Sequence, residues 1–225
     1  NTPGGREDVR GSLVFGGDGA NSAIRRKAAI DFEGFTYPEK FLVASTPYPL
    51  EEHFPGLAWV NYIADPEEWC VLLRCNNLWR VLFPTPPGMS NDALLSDDYI
   101  QGRLHFLADN DEDFEVDHRT LYNVHQRVAK QYRIGRILLG GDSAHVNNPL
   151  GGMGMNGGIH DAVNLAEKLM MIDRGDANDD ILDLYDRQRR IICKKFVQEQ
   201  SIANKKAIEA QDPESHKKQQ EEYMK

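Results

Sequence analysis

The sequence predicts an α/β (α+β) fold in which a mostly antiparallel β-sheet domain is inserted into an α/β domain. Three observations lead to this prediction. A short apolar run near the N-terminus, 13–15, ends in glycines and an aspartate, as a buried parallel strand does where it meets its loop. The region from about 35 to 121 is rich in aromatic residues, prolines and short apolar runs. A second apolar run, 136–139, is again followed by glycine and aspartate, and then by two segments with helical periodicity.

Short apolar runs and turn residues predict the elements of the first two regions. After the first strand, residues 21–27 are expected to form a brief helical turn. Four apolar runs then predict strands of an antiparallel sheet, with turns at 65–66 and 76–77 and a helix around 99–107. The runs are Phe41–Ala44, Leu57–Ile63, Trp69–Leu73 and Leu78–Phe83. An ordinary β domain without a site is the alternative for this region.

The third region is expected to contain a strand at 136–139 and two amphipathic helices. Apolar residues at three- and four-residue steps predict the buried face of the first helix, namely Ile159, Ala162, Val163, Ala166, Leu169 and Met170. The second helix starts near 180, with a predicted buried stripe of Ile181, Leu184, Tyr185, Ile191, Ile192 and Phe196. Residues 205–225 contain five basic and five acidic residues, so we expect a solvated or frayed helix without a function.

Composition excludes several classes of protein. With 225 residues, 40% hydrophobic and 27% charged, the chain can build a core, which argues against disorder. No apolar stretch approaches the roughly 18 to 20 residues of a membrane span, and residues 1–6 do not resemble a signal peptide, so we expect a soluble, cytoplasmic protein. The net charge of −9 disfavours nucleic acid as a partner, because such binding depends on neutralising phosphates.

The cysteines and histidines predict neither disulfides nor a metal site. Cys70 and Cys75 lie five residues apart in a strand-like run, so their side chains should point to opposite faces. The third cysteine leaves an odd number, and no Cys/His spacing matches a zinc site. We therefore expect no structural metal.

One short motif is misleading. Residues 152–157 match the G-x-G-x-x-G fingerprint of dinucleotide-binding folds. In that fingerprint the first glycine closes the turn directly after a strand, whereas here the nearest predicted strand ends at Leu139. A pyrophosphate loop of this type has no room for the residues that lie between that strand and the first glycine.

The longer stretch around this motif is more specific. It consists of Gly141-Asp142-Ser143-Ala144-His145, Pro149-Leu150-Gly151-Gly152-Met153-Gly154-Met155-Asn156-Gly157-Gly158 and Asp161-Ala162-Val163-Asn164-Leu165. This pattern resembles the second FAD-binding motif of the single-component flavoprotein aromatic hydroxylases, the p-hydroxybenzoate hydroxylase family (class A flavoprotein monooxygenases). Upstream, Asp18-Gly19-Ala20-Asn21-Ser22 with Arg25 resembles the Asp-Gly motif of the same family. The resemblance extends from Gly11 to about Phe196, and only the two motifs are specific.

The resemblance implies a fold, a domain organisation and a reaction. Residues 1–34 and 121–204 would form part of a Rossmann-like FAD-binding domain, 35–120 a substrate-binding β-sheet domain, and 205–225 a charged tail. The implied enzyme is an FAD-dependent monooxygenase that hydroxylates a phenolic substrate with NADH or NADPH and dioxygen through a flavin hydroperoxide. It needs no catalytic side chain. Its partners would be a small aromatic substrate and dioxygen, and a homodimer is left open.

The resemblance also implies the cofactor-binding residues. Asp142 would accept hydrogen bonds from the ribityl hydroxyls, with a helix cap or a structural turn as the alternative role. Gly151, Gly152 and Gly154 would let backbone amides approach a flat ring, and the amides of Met155 and Asn156 at a helix start would stabilise negative charge on it. The full set is Asp18, Gly19, Arg25, Gly141, Asp142, Pro149, Gly151, Gly152, Gly154, Met155 and Asn156.

Four polar residues of the two motifs have further expected roles. Asp18 and Arg25 would line the approach of FAD and the nicotinamide, and a solvated surface charge is the alternative for Arg25. Ser143 stands where the family usually has alanine, which we treat as a mild change. His145 is expected to pack and form hydrogen bonds near the turn rather than to act as an acid or base.

Substrate recognition is expected in the β-sheet domain. Trp79 alternates with Arg80 along one predicted strand, so the two side chains lie on opposite faces. Arg80 is a candidate partner for an anionic substrate group and Tyr62 for a phenol, while a solvated face is the alternative for Arg80.

The chain departs from the family pattern in one respect. The family has a strand, a G-x-G-x-x-G loop and a helix well before the Asp-Gly motif, and nothing before Gly11 supplies them. We therefore expect a fragment or a truncated gene product whose strands lack neighbours. The alternatives are a catalytically inactive remnant or interaction module, and a flavin-dependent reductase or halogenase on the same scaffold.

Overall fold

The described part of the chain, residues 4–5, 8–65 and 68–209 of a computed structural model, forms nine β-strands and six α-helices. The strands are β1 (Val14–Gly16), β2 (Phe32–Thr46), β3 (Val60–Ile63), β4 (Cys70–Cys75), β5 (Leu78–Pro84), β6 (His118–Ala129), β7 (Arg133–Ile134), β8 (Ile137–Leu139) and β9 (His145–Val146). The α-helices are α1 (Ala23–Lys27), α2 (Asn91–Leu94), α3 (Asp97–Leu107), α4 (Met153–Asp173), α5 (Ile181–Ile192) and α6 (Glu199–Ile208). Short 3₁₀ helices lie at Leu50–Glu52 and Gly141–Ser143, and a π-helical segment, Cys193–Gln198, follows α5.

The chain divides into two compact units, and β2 and β6 contribute residues to both. Of the described residues, those up to 35 and those at 125–201 form the first unit, and those at 36–124 and 202–209 form the second. The α/β fold with an antiparallel sheet is confirmed. The assignment of 1–34, 35–120 and 121–204 to cofactor and substrate domains stays a prediction.

The first unit contains a three-stranded sheet in the order β1-β8-β7. Strand β1 runs parallel to β8, with Val14 opposite Ile137 and Gly16 opposite Leu139, whereas β7 is antiparallel to β8. Because β1 and β8 are parallel, their carboxyl ends lie at the same edge of the sheet. The two loops that carry the Asp-Gly and Gly-Asp motifs therefore start side by side.

Strand β1 is less buried than predicted. Val14 is 45% exposed and Phe15 48% exposed, and only Gly16 is buried. The strand has a partner on one side, β8, and is the outer strand of its sheet within the described residues. An apolar run of this kind therefore did not guarantee a buried strand.

The predicted buried face of α4 is wrong. Ile159, Val163 and Met170 are 48–53% exposed, Ala162 and Ala166 are exposed as well, and Leu169 is half-buried. The buried residues of α4 are instead Gly157, Asp161, Leu165 and Lys168. Polar side chains can occupy a buried helix face when their hydrogen bonds are satisfied, as for the Lys168 ammonium, which donates to Asn164 Oδ1 (2.8 Å) and Gln188 Oε1 (3.0 Å).

The predicted stripe of the second long helix is correct only in part. Tyr185 is buried, together with Leu182, which was not predicted. Ile191, Ile192 and Phe196 are 40–62% exposed. The core of the first unit is formed by Ile30, Val128, Ala129, Tyr132, Leu138, Leu139, Ala144, Leu165, Leu182, Tyr185 and Cys193.

The predicted antiparallel sheet has six strands in the order β3-β4-β5-β2-β6-β9, of which β3, β4 and β5 lie wholly in the second unit. The β4–β5 hairpin turns at the predicted position, where Asn76 adopts a positive φ of 52°. Strand β2 is longer than the predicted run, and β6 was not predicted. The core beneath the sheet consists of Leu42, Ala44, Leu50, Cys70, Leu72, Trp79, Val81, Phe83, Ile100, Leu104, Ala108 and Phe114.

The three cysteines are free thiols, and Cys70 and Cys75 lie in one strand, β4. The predicted charged tail differs from expectation where it is described. Lys205 lies in α6, its side chain is 7% exposed, and its ammonium pairs with Glu39 (2.7 Å) in the second unit. Residues 210–225 of the predicted tail lie outside the described residues.

Candidate functional site

Two loops are joined at the carboxyl edge of the β1–β8 pair. The Gly140 N–H donates to the Gly16 carbonyl (3.1 Å). The Ser143 hydroxyl is fully buried, contacts the same carbonyl and accepts a hydrogen bond from the Gly140 N–H (3.2 Å). The replacement of the usual alanine by Ser143 is therefore more than a mild change, because the serine hydroxyl connects the end of β1 to the turn after β8.

Arg25 also connects the two loops. It is 6% exposed, and its guanidinium donates to the carbonyls of Ser143 (2.7 Å) and Ala20 (2.6 Å) and lies 3.8 Å from the centre of the Phe32 ring. Burial lowers its pKa. The surface-charge alternative for Arg25 is therefore wrong, and its role beside the cofactor stays a prediction.

Asp18 caps the short helix α1. Its exposed carboxylate accepts hydrogen bonds from the N–H groups of Ala23 (2.7 Å) and Ile24 (3.2 Å) and from the Ser22 hydroxyl. The loss of some hydrating water opposes ionisation, but these hydrogen bonds outweigh it and hold the pKa of Asp18 below its usual value. Gly19 follows with a φ of +79°, and no atom lies within 4 Å of the position that a Cβ would occupy there.

Asp142 has the most available carboxylate of the predicted set. It follows Gly141, whose φ of +60° allows the sharp turn after β8. The side chain is exposed, and within the described residues no group donates a hydrogen bond to its carboxylate. The helix-cap alternative therefore finds no support, and both oxygens can accept hydrogen bonds from a ligand.

The glycine-rich loop leads into a long helix with an accessible N-terminus. Gly151 and Gly152 have φ values of +94° and +62°, and the Gly152 N–H donates to the carbonyl of the half-buried Pro149 (3.1 Å). Met155, 75% exposed, and Asn156 lie in the first turn of the 21-residue helix α4. The predicted helix start is thus confirmed, and the N-terminal end of its dipole faces outward.

The glycines of this loop differ in whether a larger residue could replace them. At Gly152 a Cβ would enter open space, although the positive φ disfavours other residues. At Gly154 the nearest atom to a Cβ would be Asn147 Oδ1 at 3.6 Å, which is an ordinary contact. The described residues therefore leave room for a Cβ at Gly154.

Two residues that were not singled out hold this loop in place. Asn148 is fully buried, and its amide donates to the Ser201 carbonyl (2.9 Å) while its Oδ1 accepts the Leu150 N–H (3.1 Å). Gln126 accepts the Asn148 N–H through Oε1 (3.1 Å) and donates to the Ser201 hydroxyl (2.8 Å). The only sequence signal was the Asn147-Asn148-Pro149 run, whose asparagines favour turns.

Asp161 belongs to the second motif, had no predicted role, and lies at the centre of a buried charge cluster. Its carboxylate is 1% exposed and accepts hydrogen bonds from His145 Nε2 (2.8 Å), Arg189 Nε (2.7 Å) and the Gly141 N–H (2.9 Å). Burial opposes its ionisation, but these donors outweigh burial and lower the pKa of Asp161. As predicted, His145 packs and forms hydrogen bonds near the turn.

The predicted substrate residues lie in the second unit and differ in exposure. Trp79 is 3% exposed, belongs to the core and donates its indole N–H to Glu51 Oε2 (2.6 Å). It therefore does not present an aromatic surface, because its alternation with Arg80 turns it inward. Arg80 is exposed, in agreement with its solvated-face alternative, and Tyr62 is 46% exposed on the outer strand β3.

The described residues contain no group of three or more His, Cys, Asp or Glu side chains placed to hold a metal ion. None of the described helices is long and apolar enough to cross a membrane.

Comparison with known proteins decides the family. A family model described as "FAD binding domain" matches residues 1–200. The chain belongs to this FAD-binding family. The predicted resemblance to FAD-dependent aromatic hydroxylases is confirmed by its relatives.

Para-nitrophenol 4-monooxygenase of Pseudomonas sp. (strain WBC-3) is 34% identical over 221 residues, which cover 94% of this chain and 53% of that protein. Pentachlorophenol 4-monooxygenase of Sphingobium chlorophenolicum is 29% identical over 197 residues, covering 87% of this chain and 36% of that protein. This member of the FAD-binding family thus spans about half the length, or less, of the curated relatives that it matches.

Solved structures agree with this assignment. The crystal structure of p-nitrophenol 4-monooxygenase PnpA from Pseudomonas putida DLL-E4 has a TM-score of 0.86 and 32% identity, covering 96% of this chain and 55% of that one. A ternary complex of aklavinone-11 hydroxylase with FAD and aklavinone has a TM-score of 0.82 at 24% identity, covering 90% and 38%, and shows the shared fold alone.

The residues at the β1–β8 edge fit FAD. The exposed carboxylate of Asp142 suits the hydroxyls of a sugar-alcohol chain. The open space beside Gly19 and Gly152 and the outward-facing start of α4 suit a planar ring with developing negative charge. These features all belong to the first unit.

Proposed function

We propose that this chain carries the ribityl and isoalloxazine part of the FAD site of a monooxygenase that hydroxylates a phenolic substrate with NADH or NADPH and dioxygen. The observation that carries the proposal is the exposed Asp142 carboxylate without a hydrogen-bond donor among the described residues, next to the glycine-rich start of α4. The names of two relatives, a para-nitrophenol and a pentachlorophenol monooxygenase, support a phenol as the substrate class.

Each part of the site would have a simple task. Asp142 accepts hydrogen bonds from the ribityl hydroxyls and so orients the cofactor. The backbone amides at 153–155, in the first turn of α4, and the N-terminal end of the α4 dipole stabilise negative charge at the ring edge. When bound, FAD supplies the redox chemistry, drawing electrons from the nicotinamide cofactor and activating dioxygen. No side chain of the chain needs to act as a catalytic base.

Substrate recognition is proposed for the exposed residues of the second unit. Tyr62 can donate a hydrogen bond to a phenol oxygen, and Arg80 can pair with an anionic group such as a phenolate. Trp79 is a core residue and does not face a substrate. A homodimer and a cytoplasmic location stay predictions.

Titration of the purified chain with FAD tests the cofactor part of the proposal. Binding is followed by quenching of flavin fluorescence for the wild type, for Asp142→Asn and for Asp173→Asn. Asp173 is an exposed residue at the other end of α4, so its variant changes the net charge equally. Loss of a charge-assisted hydrogen bond, worth about 1.5–3 kcal/mol, should weaken binding by Asp142→Asn roughly 10- to 100-fold and leave the control unchanged. Equal affinities of the two variants, or no binding by the wild type, would overturn this assignment.

Oxygen uptake tests the reaction. The FAD-loaded protein is incubated with NADH or NADPH and a panel of phenols that includes 4-nitrophenol. Phenol-stimulated consumption of oxygen and of the nicotinamide, with a hydroxylated product, is the expected result. Reduction of FAD without oxygen transfer would instead identify a reductase, and an FAD-loaded protein that is inert across the panel would identify a remnant.

A further inference from the structure

We propose that Asp161 is a positioning residue, which holds the turn around Asp142 against the start of α4 so that both can meet one ligand. This inference rests on the proposed function and adds a residue to it. Asp161 does not itself face a ligand, because its side chain is 1% exposed. It acts through the groups that it binds.

The first line of support is where the hydrogen bonds of Asp161 end. Its Oδ2 accepts the Gly141 N–H (2.9 Å) on one side of Asp142 and His145 Nε2 (2.8 Å) on the other. Both ends of the segment that presents Asp142 are thus attached to one carboxylate oxygen of α4. Arg189 Nε donates to the other oxygen (2.7 Å) and so connects α5 to the same point.

The second line of support is how closely the turn lies on the helix. A Cβ on Gly157 would be 2.9 Å from His145 Cε1, and a Cβ on Gly158 would be 3.3 Å from the Gly141 Cα. Arg189 also donates to the Gly157 carbonyl (3.3 Å). The helix face below the turn therefore consists of two glycines and one carboxylate, which leaves the turn little room to shift.

An aspartate suits this position better than its amide. Three N–H groups donate to the two carboxylate oxygens of Asp161. An asparagine has only one such oxygen, and its NH₂ group would face N–H groups that also donate. Asp161→Asn would therefore release at least one of Gly141, His145 and Arg189. Release of either of the first two would let Asp142 move relative to the start of α4.

The test compares Asp161→Asn with a control variant, Asp186→Asn, in the 225-residue chain. Asp186 has the same kinds of partner in the same unit, the Tyr132 N–H (2.7 Å) and Arg190 Nε (3.0 Å), but does not contact the turn. Three quantities are measured: thermal stability, the dissociation constant for FAD below the unfolding transition, and hydrogen exchange of the Gly141 amide without FAD. We expect both variants to lose stability, but only Asp161→Asn to exchange Gly141 faster and to bind FAD at least about tenfold more weakly.

The outcomes separate the two proposals. If the wild type binds no FAD, the proposed function fails and this inference fails with it. If the wild type binds FAD and Asp161→Asn binds it equally well, only the inference is overturned. If Asp161→Asn does not fold, Gly158→Ala decides, because its Cβ pushes on the Gly141 Cα without changing any charge. A severalfold loss of FAD affinity in that variant supports the inference, and an unchanged affinity overturns it.

Discussion

Replacing Gly157 by alanine tests how tightly α4 is fitted against the turn that follows β8. The residue is buried on the inner face of α4, and an added Cβ would lie 2.9 Å from His145 Cε1. The imidazole cannot easily move away, because Nε2 is hydrogen-bonded to Asp161 (2.8 Å) and the ring stacks on Tyr132 at 6.0 Å between centroids. Either the helix or the turn must shift to relieve this contact.

The expected change in stability is the sum of two opposing effects. Alanine is more favourable than glycine inside a helix by about 1 kcal/mol. Overfilling a well-packed site costs about 1–3 kcal/mol, and the fixed imidazole places Gly157→Ala near the upper end. We therefore expect a net loss of about 1–2 kcal/mol in the free energy of unfolding.

A matched control lies in the same helix. In Gly154→Ala the new Cβ would make an ordinary contact of 3.6 Å with Asn147 Oδ1, so the helix preference of alanine acts alone and the variant should gain up to about 1 kcal/mol. Urea unfolding followed by circular dichroism at 222 nm measures both variants. If Gly157→Ala is as stable as Gly154→Ala, the close fit of α4 against His145 is refuted.

Three further predictions concern the first unit. Gly34→Ala should fail to give soluble protein or lose more than about 3 kcal/mol, because φ is +134° and the Cβ would lie 2.0 Å from the Gln126 carbonyl oxygen; normal yield and stability would contradict this. Arg25→Lys should cost about 1–3 kcal/mol in urea unfolding, since an ammonium cannot reproduce the planar contacts to two carbonyls and an aromatic ring; a neutral effect would make those contacts dispensable. Burial opposes protonation of His145, but its hydrogen bond to Asp161 raises its pKa from 6.5 to about 10, so the resulting stability is present below about pH 6.5 and is lost as the pH rises through 10. The stability difference between the wild type and His145→Gln should shrink by roughly 5 kcal/mol over that range, and a constant difference would show that the imidazole stays neutral.

Local chemistry made much of the fold predictable. The β4–β5 hairpin was expected because asparagines tolerate the positive φ that its turn needs, and Asn76 adopts it. The helix expected around 99–107 is α3, which starts after Ser96, whose hydroxyl accepts a hydrogen bond from the Tyr99 N–H. Such signals involve residues that lie within a few positions of one another, so they can be recognised in the sequence alone.

The site was predictable only as a pair of motifs. Their order and residue types identified the family, and the parallel pairing of β1 with β8 brings them to one edge. The supports of the site were not predictable. Asn148 was an ordinary loop residue in the sequence, and Gln126 lies in a strand that was not predicted, yet they bind each other and Ser201.

The sequence by itself determined the family, the two motifs, the antiparallel sheet and the existence of the long helices, because composition, turn residues and spacing are properties of short segments. Only the tertiary structure decided which surfaces are buried. It placed Asp161 and Lys168 on the inner face of α4 and left Ile159 and Val163 exposed. The physical reason is that a polar group is buried at little cost only where distant donors and acceptors complete its hydrogen bonds, as Arg189 does for Asp161, and no local pattern shows which residues will meet.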